Sequence, residues 1–302
     1  MSLCLQLWVR CYTLVAQQAM RRAQQLTTPR LGLIFLAGLV CCIHAPSPAA
    51  SNPHWILSWS DEFNLPNGST VDRTKWTPEV NGDGGGNHEL QYYTDRLKNL
   101  YIKNGDLVIK ARREKYRGAD KVTRSYASAR LQTKGKFSQA YGRFEARIRL
   151  PYGQGIWPAF WLLGSDLDTA DWPDCGEIDI MENVGHERSA VHGTIHGPGY
   201  SGAGGISATY KLTGQGRFSD DFHVFAVEWE PNAIRFYVDQ DLYTTRTPAD
   251  LPAGKKWVFD HPFFILLNLA VGGDWPGYPD SSTVFPQTML VDYVRVYRRS
   301  GT

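Results

Sequence analysis

Short segments in which apolar and polar residues alternate recur along the chain after residue 50. In Gly142–Leu150 (GRFEARIRL) every second residue from Phe144 onward is apolar, and Ile234–Asp239 and Leu290–Tyr297 repeat the pattern. A period of two places alternate side chains on one face of a β-strand, with one face turned toward a core. Helical periodicity is nearly absent from the same region. The pattern predicts an all-β protein.

Two further segments are continuously apolar. Gly155–Leu163 (GIWPAFWLL) and Phe263–Val271 (FFILLNLAV) predict strands in the middle of a packed sheet. Residues 51–302 contain no repeat, no low-complexity tract and no long Ser, Pro or Gly linker. Many strands separated by turn signals favour a β-sandwich or barrel of a size that one domain can reach. We therefore expect a single domain over residues 51–302.

Residues 1–50 differ from the rest of the chain and predict a secretory leader. They hold four arginines and no Asp or Glu, and the apolar run Leu31–Ala45 precedes a segment of small residues. This order is typical of a signal peptide, with cleavage expected near Ala49 or Ala50. The run is short for a membrane span, which needs roughly 20 residues. A start at Met20 would give a signal of ordinary length. We expect secretion to the medium or periplasm, and no membrane association after cleavage.

Charge and cysteine content change once the leader is set aside. The whole chain of 302 residues has 32 Lys and Arg against 30 Asp and Glu, a formal charge of +2 that gives no case for nucleic-acid binding. Without the four leader arginines, 28 basic residues face 30 acidic ones. Four of the five cysteines also lie in residues 1–50. The remaining Cys175 excludes an internal disulfide and is interpreted as a small buried residue.

The segment Gly176–Val184 (GEIDIMENV) places three acids close together. Glu177 and Asp179 alternate with isoleucines and share one face of a strand. Strict alternation would turn Glu182 into the core, where an unpaired carboxylate is costly. A β-bulge around Met181 would return Glu182 to the acidic face. Three carboxylates would then line one side of the strand.

Such an arrangement suits a double displacement at a sugar. Two glutamates roughly 13 Å apart at Cα can bring their carboxyl groups toward the roughly 5–5.5 Å separation used by retaining glycosidases. Three neighbouring acids cannot all ionise freely, so at least one proton is held at a raised, coupled pKa. A solvated acidic face and a calcium site are the alternatives, although calcium prefers loops rich in Asp, Asn and backbone carbonyls.

Aromatic residues accompany the acids. The chain has ten tryptophans, and Trp157 and Trp161 share a strand face because they are four residues apart. Trp172, Trp257 and Trp275 lie in or beside turn-rich sequence. Core packing is the default role of any single Trp, but flat apolar faces with N–H donors also suit sugar rings.

The histidines and the glycine-rich loop give weaker signals. His192 and His196 (HGTIH) share a strand face, but no third zinc ligand is evident, so we interpret His196 as a hydrogen-bonding residue of a cleft and His192 as structural. Asn81–Asn87 (NGDGGGN) lacks the following helix and Lys-Ser/Thr of a phosphate-binding loop. We expect it to be a mobile surface loop.

The motifs together resemble glycoside hydrolase family 16, in particular its laminarinase-like members. The resemblance rests on YGRFEARIRLPYGQGIWPAFWLLG, GEIDIMENVG and HGTIHGPGYSG, and continues through GNHELQYYT, SARLQTKGKFS, NLAVGGDWPGYPD and FPQTMLVDYVRVY. These segments occur in the order of the family and cover nearly all of residues 55–298.

The resemblance implies a jelly-roll sandwich of two antiparallel sheets with a concave substrate cleft, and retaining endo-hydrolysis of β-1,3-glucan. It makes Glu177 the nucleophile, Glu182 the general acid/base and Asp179 an assisting acid. Residues at sugar-binding positions of the family are Asn87, Arg130, Trp157, Trp161, His196 and Trp275.

The family needs no cofactor for catalysis. Many members hold a structural calcium on the convex face, and Glu62, Gly105 and Asp292 match those positions. The chain departs from the common pattern at His88, where Asn is usual, and in the glycines added to the preceding loop. From the resemblance, we expect His88 to alter a distal glucose contact and the added glycines to change the shape of the sugar subsite at that end.

Two other functions remain open from the sequence. A glucan-binding module without activity would have lost the carboxylates, all of which are present. A hydrolase or transglycosylase for another β-glycan, such as mixed-linkage glucan or agarose, depends on cleft loops that sequence describes poorly. We expect a β-glucan polysaccharide as the partner and a monomer as the oligomeric state.

Overall fold

The computed structural model describes residues 55–300. The predicted leader, its apolar run Leu31–Ala45 and the alternative start at Met20 lie outside the described residues. They stay predictions, as does the domain boundary at residue 51.

The described residues form seventeen β-strands, which agrees with the predicted all-β class. In chain order they are β1 (Trp55–Asp61), β2 (Thr77–Pro78), β3 (Gln91–Tyr93), β4 (Leu100–Lys103), β5 (Asp106–Arg117), β6 (Thr123–Ser128), β7 (Arg130–Gln132), β8 (Gly142–Arg149), β9 (Ile156–Gly164), β10 (Glu177–Glu182), β11 (Ala190–His196), β12 (Ile206–Lys211), β13 (His223–Glu230), β14 (Ala233–Val238), β15 (Asp241–Arg246), β16 (Phe263–Val271) and β17 (Gln287–Arg299).

The strands build two sheets. The ten-stranded sheet has the order β15-β14-β13-β8-β17-β5-β6-β3, with β1 also paired to β17 and β4 to β5. The seven-stranded sheet has the order β12-β11-β10-β9-β16-β7-β2. Neighbouring strands are antiparallel except β3 and β6, which are parallel. The prediction of two antiparallel sheets therefore holds except at this one short edge pair.

The core lies between the two sheets. Inward side chains of both sheets form one buried cluster, for example Phe144 and Val227 from the ten-stranded sheet and Phe160 and Ile178 from the seven-stranded sheet. Burial of this apolar area is the main stabilising contribution in a two-layer β protein. The alternating segments thus present one face to the core, as their period predicts.

The two continuously apolar segments are central strands, as expected. All nine residues of β16 are buried, and β9 lies between β10 and β16. In β9 only Trp157 and Trp161 are partly exposed, both on the face away from the core. A central strand that is covered on most of both faces needs apolar residues at nearly every position.

Helices are few and short within residues 55–300. A single α-helical turn, α1, spans Leu167–Ala170, and 3-10 turns span Gly202–Gly204 and Pro248–Asp250. No helix in this part of the chain is long and apolar enough to cross a membrane.

Cys175 is fully buried and free, as its sequence context predicts. Burial, with the Asp166 and Glu177 carboxylates nearby, raises the pKa of its thiol to about 11. The thiol therefore stays protonated at neutral pH and does not act as a nucleophile.

Candidate active site

Strand β10 carries the three acids, and an irregularity in its pairing keeps them together. Its register against β9 shifts by one residue between Asp179 and Met181, and its register against β11 shifts between Asp179 and Glu182. Ile180 and Met181 are both buried, so the two consecutive side chains point into the core. The extra residue is the β-bulge predicted around Met181, and Glu182 remains partly exposed on the face of Glu177.

Glu177 is held by a tryptophan from the preceding loop. The indole Nε1 of Trp172 donates a hydrogen bond to Glu177 Oε2 at 2.5 Å, and Glu177 also shares a hydrogen bond with Asp179. An N–H donated to a carboxylate stabilises its ionised form, and so does a proton held on the neighbouring acid. The hydrogen bond with Asp179 acts the other way here, because it raises the pKa of Glu177 and lowers the pKa of Asp179, so Trp172 is the contact that favours the Glu177 anion.

Glu182 has a second tryptophan as its partner. Trp157 Nε1 donates to Glu182 Oε1 at 3.0 Å. The Trp157 ring meets Trp275 edge to face, with centroids 5.7 Å apart, and Trp275 contacts His192 in the same way at 5.0 Å. These rings form a partly exposed aromatic group beside Glu182.

His196 lies against Asp179 on the neighbouring strand. Its Nε2 is 3.1 Å from Asp179 Oδ2, and its ring is tilted by 52° against the Trp172 ring with centroids 6.3 Å apart. Ligand atoms of Glu177, Asp179 and His196 lie within 4.8 Å of one another. His192 does not join them, since it contacts Glu187 and Thr209, and the structure gives no support to a zinc site built on both histidines.

Burial and mutual repulsion dominate the ionisation of the site. The pKa of Glu182 is raised to about 8, first by burial and then by Glu177. Burial and Asp179 raise the pKa of Glu177 well above its usual range, and burial and Glu182 do the same for Asp179. Burial lowers the pKa of His196. The acids share protons at neutral pH, so one can donate while another attacks.

Trp161 extends the site across the sheet toward β16 and β7. It pairs with Asp179 in register, and its Nε1 donates to Asn268 Oδ1 at 2.8 Å. The guanidinium of Arg130 lies over the Trp161 ring, 4.7 Å from its centroid, and Arg130 Nε is 3.0 Å from Glu79 Oε1. The arrangement gives a flat apolar ring bordered by groups that hydrogen-bond to hydroxyls.

Asn87 lies in the glycine-rich loop at the side of Trp275. Its carbonyl accepts a hydrogen bond from Asp274 N at 3.0 Å, and its exposed side chain donates to Gly85 O at 3.2 Å. The adjacent His88 contacts Asp274 through Nδ1 at 2.9 Å. The departure at position 88 thus joins this loop to the segment that carries Trp275.

The predicted calcium residues lie in the ten-stranded sheet. Glu62 follows β1, Gly105 lies in the turn between β4 and β5, and Asp292 is in β17, which pairs with both β1 and β5. Each carboxylate already has a cationic partner: Arg295 is 2.8 Å from Glu62, and Arg147 is 2.7 Å from Asp292. A calcium ion fits this corner only if the two arginine contacts are exchanged for it.

Sequence reasoning missed two residues of the site as functional residues. Trp172 lies in turn-rich sequence, where nothing in the pattern marks it, yet it contacts Glu177 directly. Asn268 lies in an apolar strand and is the single polar residue of FFILLNLAV, an exception that is the sequence signal for its role.

Comparison with known proteins agrees with the geometry. A family model described as "Glycosyl hydrolases family 16" matches residues 87–295. A β-glucanase of Rhodothermus marinus is 46% identical over 82% of this chain and 86% of its own length. The solved endo-β-1,3-glucanase of Pyrococcus furiosus is 50% identical, with a TM-score of 0.78 over 83% of this chain and 97% of that one. The laminarinase catalytic domain of Thermotoga petrophila is 47% identical, with a TM-score of 0.78 over 83% of this chain and all of that one.

The matched region contains every acid of the site and most of both sheets. A family model over most of the described chain, supported by relatives near half identity, is decisive for membership. The family acts without a catalytic cofactor, in agreement with the sequence prediction. The chain belongs to glycosyl hydrolase family 16 and is a glycoside hydrolase with the family's jelly-roll β-sandwich.

Proposed function

We propose that the protein is a retaining endo-hydrolase of β-1,3-glucan of the laminarin type. The observation that carries the proposal is the bulge in β10, which keeps Glu182 on the face of Glu177 and Asp179. Two indole N–H groups hold the outer acids of this group. The β-1,3 linkage of the proposed substrate comes from the similar proteins, which are named as endo-β-1,3-glucanases.

In the first step Glu177 attacks the anomeric carbon while Glu182 donates its proton to the departing glycosidic oxygen. The C–O bond of the leaving sugar breaks as an ester bond forms between the anomeric carbon and Glu177. In the second step Glu182, now a carboxylate, removes a proton from water. The water oxygen bonds to the anomeric carbon and Glu177 leaves, so two inversions give net retention.

Asp179 and His196 adjust the charge around the nucleophile. The hydrogen bond between Glu177 and Asp179 couples their ionisation, since it raises the pKa of Glu177 and lowers the pKa of Asp179, and His196 Nε2 lies 3.1 Å from Asp179 Oδ2. The partly exposed rings of Trp157, Trp161 and Trp275 are proposed to stack on sugar units in an open cleft. Asn87, Arg130 and His196 would supply hydrogen bonds to hydroxyls.

Product analysis of residues 51–302 on laminarin, lichenan and agarose tests the proposal, with anomer stereochemistry followed by NMR. We expect β-configured laminari-oligosaccharides of mixed length as first products. A first product of inverted configuration would contradict the mechanism, and activity on lichenan or agarose alone would contradict the substrate. Glu177→Gln should nearly abolish hydrolysis and retain laminarin binding.

Secretion, the monomeric state and calcium binding are further parts of this proposal. The basic, acid-free segment before Leu31–Ala45 supports export, and the family positions of Glu62, Gly105 and Asp292 support calcium. N-terminal sequencing of the exported protein should begin near Ser51. A mature chain that retains the apolar run would contradict the leader, and light scattering of a dimer would contradict the monomer.

A further inference from the structure

We propose that Glu89, Tyr93 and Asn268 are positioning residues that form a buried hydrogen-bond chain and set the orientation of the Trp161 ring against the glucan. The inference rests on the proposed function, because it assigns a task to residues behind a sugar-stacking ring. None of the three belongs to the acidic motif of β10.

The chain of contacts is continuous from the ring to the carboxylate. Trp161 Nε1 donates to Asn268 Oδ1 at 2.8 Å, and Asn268 Nδ2 donates to Tyr93 OH at 3.4 Å. The Tyr93 hydroxyl donates to Glu89 Oε2 at 3.0 Å, and Gln91 Nε2 donates to the same oxygen at 2.5 Å. The link between Asn268 and Tyr93 is the longest of the series.

The chemistry of the two ends fixes the direction of every bond. An indole nitrogen can only donate, and Glu89 Oε2 is the acceptor at the other end, since it accepts from the Gln91 amide and from the Tyr93 hydroxyl. The Tyr93 proton therefore points to Glu89, its oxygen lone pair accepts from the Asn268 amide, and the Asn268 carbonyl is left for Trp161. A single side-chain amide could flip at little cost in isolation, but here a flip would break the bonds on both sides.

The hydrogen-bond chain is shielded from water, so breaking any one of its hydrogen bonds leaves a buried polar group without a partner. Glu89, Tyr93 and Asn268 are 5%, 2% and 7% exposed. The glycine-rich loop closes over Glu89, since a Cβ at Gly85 would overlap its carboxylate oxygen. The backbone N–H of Glu89 also donates to Gly84 O at 3.1 Å. The glycine-rich loop Asn81–Asn87 thus covers a buried acid.

The orientation of the Trp161 ring matters for substrate binding because of where the ring lies. It pairs with Asp179 across β9 and β10, next to the reacting bond, and Arg130 covers its ring at 4.7 Å. The hydrogen-bond chain holds the Trp161 ring at its N–H edge, and the Arg130 guanidinium covers one face of the same ring. A ring fixed in this way stacks on a sugar without first losing its own rotational freedom.

NMR of the indole N–H groups tests the hydrogen-bond chain without any substrate. In ¹⁵N-Trp protein the Trp161 Nε1–H signal, assigned with Trp161→Phe, should move upfield and exchange faster with water in Asn268→Leu. Tyr93→Phe and Glu89→Gln should move it in the same direction by less. Tyr200→Phe is the matched control, because Tyr200 is buried and its hydroxyl donates to Lys256 O at 2.8 Å. An unchanged Trp161 signal in all three variants would overturn the proposal.

A double-mutant cycle separates positioning from a merely structural role. Asn268→Leu and Tyr93→Phe should raise KM for laminari-oligosaccharides by about tenfold and about threefold, with kcat changed less than about twofold. In the Trp161→Phe background, which lacks the N–H donor, neither substitution should raise KM further. Additive effects would overturn the positioning role. Failure of the wild type to cleave laminarin would instead count against the proposed function, and the NMR result would stand apart from it.

Discussion

At the residue scale, two tryptophans each hydrogen-bond to one of the two catalytic glutamates. Trp172 and Trp157 each donate an indole N–H to one glutamate, Glu177 and Glu182 respectively. Both donors favour the carboxylate form of their glutamate and so oppose burial, which raises the pKa of each. The donors restrain the rise in pKa that burial causes, and the hydrogen bond between Glu177 and Asp179 couples the ionisation of Glu177 to that of Asp179.

Removal of the Trp172 N–H should shift the pH profile of the enzyme. In Trp172→Phe the Glu177 carboxylate loses a donor, so its pKa rises and it ionises only at higher pH. We expect the acidic limb of kcat/KM to move upward by about one pH unit, with the largest loss of activity on the acid side. Trp257→Phe is the matched control, since Trp257 Nε1 donates to Pro231 O. An identical profile in both variants would contradict this role.

Glu182 should lower the stability of the fold at the pH where it serves catalysis. Its pKa is raised to about 8 from the usual 4.5, so the folded state binds more protons than the unfolded state between these values. Stability therefore falls as pH rises through this window. Relative to wild type, Glu182→Gln should gain nothing below pH 4.5 and up to about 5 kcal/mol above pH 8, because one pKa unit corresponds to about 1.4 kcal/mol. Urea unfolding at several pH values measures this, and a pH-independent difference would contradict it.

At the element scale, the bulge in β10 determines which side chains reach the site. Side chains of a strand alternate, so one added residue reverses the face of everything after it. Ile180 and Met181 are both buried, and this pair of inward residues returns Glu182 to the outer face. The number of residues between Asp179 and Glu182 therefore determines which face of β10 Glu182 occupies, as well as how far Glu182 lies from Glu177.

Parity makes the same prediction for a strand shortened by one residue and for one lengthened by one residue. Deletion of Met181 restores strict alternation with all three acids outward, so the protein should fold and keep a reduced but measurable activity. Duplication of Met181 also lets Glu182 face outward under strict alternation, but it places Glu182 about two strand steps farther from Glu177 than in the shortened strand, so the protein should fold and lose activity. Circular dichroism, thermal melting and laminarin hydrolysis distinguish the two variants. Loss of most of the thermal stability in both variants would contradict the argument.

The sequence predicts elements whose causes are local and misses contacts between distant segments. The strands of Gly142–Leu150 and Phe263–Val271 and the bulge at Met181 follow from periodicity and from the cost of burying a charge. Trp172 reaches Glu177 because the loop before β10 is held by contacts such as His261 with Asp166 at 2.9 Å. Such a contact joins residues far apart in sequence, and no local period encodes it.

At the scale of the whole molecule, the two sheets have different tasks. The seven-stranded sheet carries the three acids of β10 and the Trp157 and Trp161 rings of β9. The ten-stranded sheet closes the core and carries the predicted calcium residues Glu62, Gly105 and Asp292 on or beside its strands. Ionic pairs there link strands from opposite ends of the chain, as Arg295 with Glu62 shows. This corner can affect stability without touching the chemistry.

Calcium at this corner should act on stability rather than on turnover. We expect calcium to raise Tm by a few degrees relative to protein treated with EGTA, because an ion that binds only the folded state stabilises it. Initial rates well below Tm should stay unchanged. Glu62→Gln should lose most of the calcium response. Equal Tm values with calcium and with EGTA would contradict the site and leave the arginine pairs as the resting state of the corner.

The pairing of β1 with β17 has a consequence for how the chain can be cut and joined. Trp55 lies opposite Arg299 in that antiparallel pair, so the first and last described strands run side by side and the path of the backbone nearly closes on itself. A short bridge could connect these ends while new ends are opened in the exposed loop Thr213–Arg217, at the other sheet's margin. A circularly permuted protein of this kind should keep the same fold, because neither the new junction nor the new ends would interrupt β9 or β10, the strands that carry Trp157, Trp161 and the three acids of the site.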